Sequence, residues 1–239
     1  MSSRRASSRI AIGFALALAG AASLAGAGCA EDLDRQIPAP AVDTPKATAG
    51  ASDTIVLAGG CFWGQQGVFE HLKGVTRVVA GYSGGAKNTA TYDQVTTETT
   101  GHAEAVQITF NPKVVSVGDI LKIYFSVAHD PTELNRQGPD SGTSYRSEIF
   151  FNSPDQQKIA EAYVKQLGDA KIFKRPIVTK IEQNKGFYPA EGYHQDYLIH
   201  NPNAMYIVIN DQPKIAAFKK VWPDLYNDKP VMVPFGLLN

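Results

Sequence analysis

Residues 54 to 74 read TIVLAGGCFWGQQGVFEHLKG, a stretch in which a strand, a glycine turn and a helix follow one another directly. The run Thr54 to Ala58 is apolar and β-branched, which is typical of a short strand. From Phe62 to Leu72 the apolar residues recur at helical spacing, and Gly74 predicts the end of this helix. Cys61 is therefore predicted at the turn from strand to helix, in the first helical turn.

The rest of the chain contains both strands and helices without strict alternation. We predict further strands over residues 75–82, 104–110, 145–151, 176–183 and 205–209, helices over 116–127, 153–167 and 214–221, and a loop over 128–144. Ser116 and Asp119 stand at the spacing of a helix capping box. This order predicts the α+β class: a single domain built as a two-layer α/β sandwich with a mixed sheet and a ferredoxin-like core.

The N-terminus has the pattern of an export signal. Arg4, Arg5 and Arg9 give a basic start, and residues 10–27 carry no charge and are rich in Ala, Leu and Gly. Such a stretch is barely long enough to span a membrane and is only weakly hydrophobic, so we interpret residues 1–29 as a signal peptide.

Cys29 stands where this signal would be cut. Small residues followed by a cysteine resemble a bacterial lipoprotein signal, although Gly26 occupies the position where that signal has Leu. Cleavage after Ala27 is the alternative. We expect an exported protein of the bacterial cell envelope, anchored by a lipid on Cys29 and facing the periplasm or the exterior; without acylation it would be periplasmic or secreted.

Residues 30–53 are rich in Ala, Pro, Thr and Asp and predict a disordered tether, which leaves 54–239 as one domain. The 23 basic residues include three before position 29, where none of the 23 acidic residues lies. The remainder is thus slightly acidic, so we expect no nucleic-acid partner. We also expect a monomer.

The cysteine content is unusual for an exported chain, because the cysteines of exported proteins generally form disulfide pairs. The chain has 2 cysteines, and only Cys61 lies in the predicted domain. One cysteine cannot form an internal disulfide or a cysteine-based metal site. The sequence implies neither a metal nor a cofactor.

Three features around Cys61 favour a nucleophile. A helix N-terminus lowers the pKa of a thiol, and the glycines allow a substrate to approach the backbone closely. Phe62 and Trp63 offer an aromatic wall. The alternative is a buried structural cysteine that behaves as a small apolar residue.

Residues 60–64, GCFWG, resemble the signature of the A-type methionine sulfoxide reductases. The resemblance continues in order across about residues 54 to 210, through GYSGG (81–85), TY (91–92), TGHAEA (100–105), HDPT (129–132), NRQG (135–138), YRS (145–147) and YHQDYL (193–198). Several ordered blocks are stronger evidence than any single motif. The resemblance implies that the protein reduces the S epimer of methionine sulfoxide, either free or in oxidised proteins and peptides. This reaction repairs oxidative damage.

The resemblance also implies the catalytic residues. The thiolate of Cys61 would attack the sulfoxide sulfur and become a sulfenic acid. Glu104 would protonate the departing oxygen, which requires a shielded and therefore protonated carboxyl. Tyr92 and Tyr145 would hydrogen-bond this oxygen, and Asp140 would orient the polar network. Each residue also has a structural alternative. Glu104 would be a solvated charge, the two tyrosines would be ordinary core residues, and Asp140 would be a turn residue.

The substrate-binding residues are implied in the same way. Phe62 and Trp63 would clasp the methyl group on the sulfur, and Tyr197 would line the site. Core packing is the alternative for these aromatic residues. We interpret His102 as structural, and His194 as structural or as a support of the site.

The chain departs from the family pattern in its recycling cysteines. Many members carry such cysteines near the C-terminus, whereas no cysteine follows Cys61 here. We therefore expect a one-cysteine cycle in which an external thiol reduces the sulfenic acid: a thioredoxin-like protein, a glutaredoxin or a small thiol. An unmodified Cys29 is an alternative partner for Cys61.

Two other functions compete with the reductase. A cysteine hydrolase or acyl transferase would need a histidine base, for which His129 beside Asp130 is a candidate. A non-catalytic lipoprotein that binds methionine sulfoxide or peptides would need no thiol and no proton donor.

Overall fold

The computed structural model describes residues 35–44 and 52–234, and all of these belong to one compact unit. The signal peptide and Cys29 lie outside the described residues. Within them, no helix is long and apolar enough to cross a membrane.

The regular structure of the described part of the chain consists of eight strands, six α-helices, three short 3₁₀ helices and two π-helical turns. The strands are β1 (Asp53–Ala58), β2 (Val75–Ser83), β3 (Ala103–Phe110), β4 (Arg136–Gln137), β5 (Asp140–Ser141), β6 (Glu148–Phe151), β7 (Lys180–Gln183) and β8 (Phe187–Pro189). The helices are α1 (Phe62–Glu70), α2 (Tyr92–Val95), α3 (Val117–Ile123), α4 (Pro154–Asp169), α5 (Tyr197–His200) and α6 (Gln212–Val221). Two π-helical turns occur at Tyr124–Ala128 and Ile207–Asp211.

The main sheet has the strand order β7-β6-β1-β3-β2-β8, and β4 pairs only with β5. All pairs are antiparallel except β6 with β7. The four central strands run β6-β1-β3-β2, with α1 between β1 and β2 and α3 between β3 and β6. This is the ferredoxin-like arrangement, and the α+β prediction with a mixed sheet in a single domain is confirmed.

The side chains of β1 alternate between two apolar clusters on opposite faces of the sheet. Ile55 and Leu57 belong to the large core beneath the helices. Val56 and Ala58 belong to a small cluster on the other face, which Phe187 partly covers. A central strand covered on both faces reads as a continuous apolar run, as residues 55–58 do.

Helix α1 is buried on almost every side, with Trp63 as its one partly exposed residue. Its glycines permit this close packing. A Cβ atom on Gly67 would lie 2.7 Å from Cδ1 of Leu198 in α5, and one on Gly64 would lie 2.1 Å from Oδ1 of Asp211. The glycines therefore bring α5 and the second π-helical turn against the helix that carries the cysteine.

Most predicted elements are present, with shifted ends. The capping box is confirmed, because Ser116 Oγ accepts from the backbone N–H of Asp119 and the Asp119 carboxylate accepts from the N–H of Ser116. The strand predicted from residue 176 begins only at Lys180, because Pro176 has no N–H to donate and the N–H of Val178 donates to the carbonyl of Pro131. The predicted loop 128–144 contains the β4–β5 hairpin. The short elements α2, α5 and β8 were not predicted.

The strand predicted over residues 205–209 is wrong, because this segment is helical and continues into α6. Its β-branched composition favoured a strand. In the structure, however, Ile207 and Asp211 are both buried, four residues apart, while Met205 and Ile209 are exposed. Burial at i and i+4 is the pattern of a helix face packed on the core.

The disordered tether predicted over residues 30–53 is wrong for residues 35–44, which pack against the domain. Ile37 is 4% exposed and belongs to the main core. The phenol of Tyr163 in α4 donates a 2.7 Å hydrogen bond to the carbonyl of Pro38. The burial of Ile37 and the hydrogen bonds to backbone carbonyls therefore hold this segment against the domain, although it contains few apolar residues.

Candidate functional site

Cys61 occupies the N-cap position of α1, directly after the turn that follows β1. Gly60 has a φ of +88°, and a Cβ atom there would lie 2.6 Å from Cβ of Gln137. Glycine is thus required by both conformation and space. The Cys61 thiol is free and only 9% exposed.

The resting thiol does not have the low pKa that the helix N-terminus predicted. Burial raises the pKa of Cys61 well above its ordinary value, and the negative charges of Glu104 and Asp211 add to this. The backbone N–H of Trp63 favours the thiolate but is outweighed. The prediction from the helix alone is wrong because it ignored burial and the surrounding carboxylates.

Glu104 lies in β3, is 3% exposed and accepts a 3.0 Å hydrogen bond from the backbone N–H of Phe62. Burial raises the pKa of its carboxyl to about 8, against the opposing effect of this hydrogen bond. The negative charges of Asp140 and Glu98 raise the pKa further. Glu104 is therefore mostly protonated at neutral pH and lies beside the residue that follows the cysteine.

Tyr92 and Tyr145 share this environment. Burial raises the pKa of both phenols, and the charges of Glu104 and Cys61 act on each of them in the same direction. Both hydroxyl groups thus keep their protons and are available as hydrogen-bond donors. The structure brings Cys61, Glu104 and the two phenols into one site.

Glu191 was not predicted, yet it positions one of these tyrosines. Its carboxylate accepts 2.9 Å hydrogen bonds from the backbone N–H of Tyr92 and from the phenol of Tyr82. Tyr82 lies directly opposite Glu104 in the β2–β3 pairing. Although partial burial opposes ionisation, these hydrogen bonds keep the pKa of Glu191 below its ordinary value.

Asp140 begins β5 and is held by a tyrosine that sequence reasoning missed. The phenol of Tyr206 donates to Oδ2 of Asp140. The same tyrosine ring meets Trp63 edge-on, with the ring centroids 5.8 Å apart. Tyr206 fell within the wrongly predicted strand 205–209, and no local signal distinguished it from a core tyrosine.

The aromatic wall is made by Trp63 stacked on Tyr197, with 3.8 Å between the ring centroids. Phe62 is almost fully buried, and its ring centroid lies 5.0 Å from that of His194. His194 also lies 4.6 Å from the Tyr92 ring, so this histidine is at the centre of the aromatic cluster.

The orientation of His194 defines its proton. The indole N–H of Trp63, which is only a donor, points at Nδ1 of His194 over 3.2 Å. Burial lowers the pKa of this histidine, so the ring is neutral and carries its proton on Nε2. This buried atom has no hydrogen-bond partner in the described part of the chain. His194 thus offers an unused donor inside the cluster.

The remaining histidines of the predicted motifs have structural partners. His129 lies between the carbonyl of Tyr124 and the hydroxyl of Ser147, at 3.0 and 2.7 Å, and burial lowers its pKa to about 3. His102 accepts from the N–H of Gly85 over 3.2 Å. Neither arrangement provides a base for a cysteine hydrolase. Residues 35–44 and 52–234 also contain no group of three His, Cys, Asp or Glu side chains arranged as metal ligands.

The chain has clear relatives. The family described as "Peptide methionine sulfoxide reductase" matches residues 53–226. A protein of Mesorhizobium japonicum named "Peptide methionine sulfoxide reductase MsrA 2" is 57% identical over 185 residues, which cover 77% of this chain and 95% of the relative. A protein of the same name from Synechocystis sp. is 44% identical over 194 residues, covering 80% of this chain and 91% of the relative.

Two solved structures share the fold. The reduced form of Mxr1 from Saccharomyces cerevisiae is 35% identical and covers 64% of this chain and 87% of its own, with a TM-score of 0.59. The methionine sulfoxide reductase A of Corynebacterium diphtheriae is 30% identical and covers 73% and 91%, with a TM-score of 0.55.

Proposed function

Because the chain belongs to the peptide methionine sulfoxide reductase family, we propose that its catalytic centre is built around Cys61 and Glu104 and acts on the S epimer of methionine sulfoxide. The chain is an oxidoreductase that reduces methionine sulfoxide.

The observation that carries the mechanism is a protonated carboxyl beside a buried thiol. Both groups hold a proton at neutral pH, since burial raises the pKa of each. Glu104 has the lower pKa of the two, so the reaction starts from the pair with both protons, and the thiol proton passes to the Glu104 carboxylate as the acid gives up its own. The sulfur of Cys61 then attacks the sulfoxide sulfur, and Glu104 protonates the sulfoxide oxygen as its charge grows.

The products balance without any other reactant. The sulfur–oxygen bond of the substrate breaks, methionine leaves, and the hydroxyl ends on Cys61 as a sulfenic acid. Methionine gains two electrons and the cysteine loses them. The neutral phenols of Tyr92 and Tyr145 donate hydrogen bonds to the oxygen during this transfer, and Asp140, held by Tyr206, orients the polar side of the site.

Stereoselectivity arises because the site is apolar on one side and polar on the other. Phe62 and Trp63 receive the methyl group of the sulfoxide, and the stack on Tyr197 keeps the indole in place. The proton donors are fixed on the other side, so only one epimer presents its oxygen to Glu104. The Nε2–H of His194 supplies a further donor beside the substrate.

The second half of the cycle needs a thiol from outside the described part of the chain, where Cys61 is the one free cysteine. The external thiol attacks the sulfenic sulfur, water leaves and a mixed disulfide forms. A second thiol then releases Cys61. The donor is a thioredoxin-like protein, a glutaredoxin or a small thiol, and the substrates are oxidised proteins, peptides or free methionine sulfoxide.

The location of the enzyme is inferred from the sequence pattern alone. The basic start, the uncharged stretch and Cys29 support export and a lipid anchor in the bacterial cell envelope, with the enzyme facing the periplasm or the exterior. We propose a monomer there. Metabolic labelling with a fatty acid, compared between the wild-type chain and Cys29→Ser, tests the anchor; label that persists in the variant would contradict it.

The function is tested with the separate S and R epimers of a methionine sulfoxide peptide and excess dithiothreitol. We expect the S epimer alone to be reduced, and Cys61→Ser to abolish the reaction while the protein stays folded. Failure of the folded wild-type protein to reduce either epimer would overturn the proposal.

The one-cysteine cycle has its own test. One turnover without a reductant should leave a sulfenic acid on Cys61, which a dimedone adduct and its mass detect. A Cys29–Cys61 disulfide in the mass spectrum would instead show that the chain resolves its own intermediate.

A further inference from the structure

A buried ion pair lies behind the first turn of α1. Lys214 in the first turn of α6 contacts Asp211 with 3.3 Å between Nζ and Oδ1, and the two side chains are 6% and 0% exposed. Removing two charges from water is costly, and such a pair generally stabilises a fold no better than apolar side chains of the same volume. Its presence beside the proposed site therefore favours a role in the chemistry.

The pair lies against the backbone that carries the nucleophile. A Cβ atom on Gly64 would be 2.1 Å from Oδ1 of Asp211 and 3.2 Å from Nζ of Lys214. Gly64 is three residues after Cys61 on the same helix. The glycine is what allows the charges to approach α1 so closely.

The same segment also holds a carboxylate of the site. Tyr206 precedes the π-helical turn that ends at Asp211, and its phenol donates to Asp140. Burial raises the pKa of both Asp140 and Asp211, and the positive charge of Lys214 opposes this rise and so favours their ionised forms. The negative charges of these two aspartates in turn disfavour the ionised forms of Glu104 and Cys61.

We propose that Lys214 is a positioning residue that keeps the negative charge of the buried carboxyl cluster on Asp140 and Asp211, so that the proton needed for catalysis stays on Glu104. This inference rests on the proposed function of Glu104 as the proton donor. Without Lys214 the proton would be shared with the aspartates, and the acid would be lost at lower pH.

Other ionisable groups surround this cluster. Those that interact with Glu104, Asp140 or Lys214 are Cys61, Tyr82, Glu98, Tyr92, His129, Tyr145 and Tyr206. None of these groups carries a positive charge at neutral pH, because burial keeps His129 neutral. Lys214 is thus the cation that acts on both aspartates in the described part of the chain.

Three variants separate a chemical role from a structural one. Lys214→Met leaves Asp211 buried without its cation, so a loss of stability alone would not be informative. Asp211→Asn/Lys214→Met removes both charges and should regain stability. Lys219→Met, on the exposed side of the same helix, is the matched control.

The first readout is the infrared carbonyl stretch of protonated carboxyl groups. In the wild type we expect a signal that disappears in Glu104→Gln, above a constant background from buried Glu70, whose pKa burial also raises. In the Lys214→Met background a new signal should appear that Asp140→Asn or Asp211→Asn removes. In the double variant the new signal should depend on Asp140 alone.

The second readout is the pH dependence of kcat/KM for the S epimer. The alkaline fall should move to lower pH in the double variant by about one unit, whereas Lys219→Met should match the wild type. A stable double variant with the wild-type infrared pattern and pH profile would overturn the inference. Absence of wild-type reduction would instead refute the proposed function, and the infrared result would still decide where the proton lies.

Discussion

The backbone N–H of Phe62 donates a 3.0 Å hydrogen bond to Oε2 of Glu104, which joins the start of the cysteine helix to the middle of the sheet. The two residues are 42 positions apart in the chain. This bond places the acid next to the thiol, and it opposes the rise in the pKa of Glu104 that burial causes. The proton donor is thus held in place by the helix that carries the nucleophile.

We expect Glu104→Gln to lower kcat/KM by about 10²- to 10⁴-fold, because an amide has no acidic proton to give. The pKa of Glu104 is about 8, so the wild-type acid is present below that pH and is lost above it. The wild-type rate should therefore fall on the alkaline side of pH 8, and the variant should lack this fall. A steady-state pH profile checks both; the same alkaline limb in both proteins would contradict this role.

The thiol of Cys61 is expected to titrate above an ordinary cysteine, since burial and the charge of Glu104 both raise its pKa. The pH midpoint of the iodoacetamide reaction measures this in a Cys29→Ser background, where Cys61 is the only thiol. The midpoint should fall in Glu104→Gln. A wild-type midpoint below that of the urea-unfolded chain would show that the helix N-terminus outweighs burial after all.

Gly64→Ala should destabilise the protein by about 1 to 3 kcal/mol, because the new Cβ atom would overlap Asp211. Gly168→Ala in α4 is the matched control. A Cβ atom there meets nothing within 4 Å, and the substitution should stabilise the protein by about 0.5 to 1 kcal/mol. Urea unfolding measures both, and equal effects of the two substitutions would refute the steric argument.

Tyr206→Phe removes the hydrogen bond to Asp140 and keeps the aromatic contact with Trp63. We expect kcat/KM to fall by about 10- to 100-fold, in line with the loss of a hydrogen bond to a charged group. Tyr226→Phe, on a ring stacked against His71 elsewhere in the fold, should leave the rate unchanged. Equal rates for the two variants would show that the Asp140 contact has no part in the reaction.

Ile37→Ala should cost about 2 to 5 kcal/mol of unfolding free energy, because its side chain is part of the main core. Val42→Ala, at a position that is 39% exposed, should have little effect. Urea unfolding of the two variants measures this contrast. An unchanged stability in Ile37→Ala would restore the disordered tether that the composition predicted.

The local pattern predicted much of the fold because adjacent residues encode it. The strand before Gly59, the helix after Cys61 and the capping box of Ser116 and Asp119 all depend on neighbours within a few positions. The segment around Tyr206 shows the limit. Its β-branched residues favour a strand, but burial against α1 makes it helical, and burial is a tertiary property.

The sequence by itself determined the cysteine at a strand-to-helix turn, the order of the motif blocks and therefore the family. Only the tertiary structure decided which groups lie around the start of the helix that follows Cys61. His194 contacts Trp63 and Lys214 lies against Gly64, and both are more than 130 positions from Cys61. The motif around His194 did not reveal its contact, and Lys214 has no local pattern that marks it. The structure also decided the charges, since the pKa values of Cys61 and Glu104 are raised by burial. Burial and long-range electrostatics depend on how distant segments pack, which no short stretch of sequence encodes.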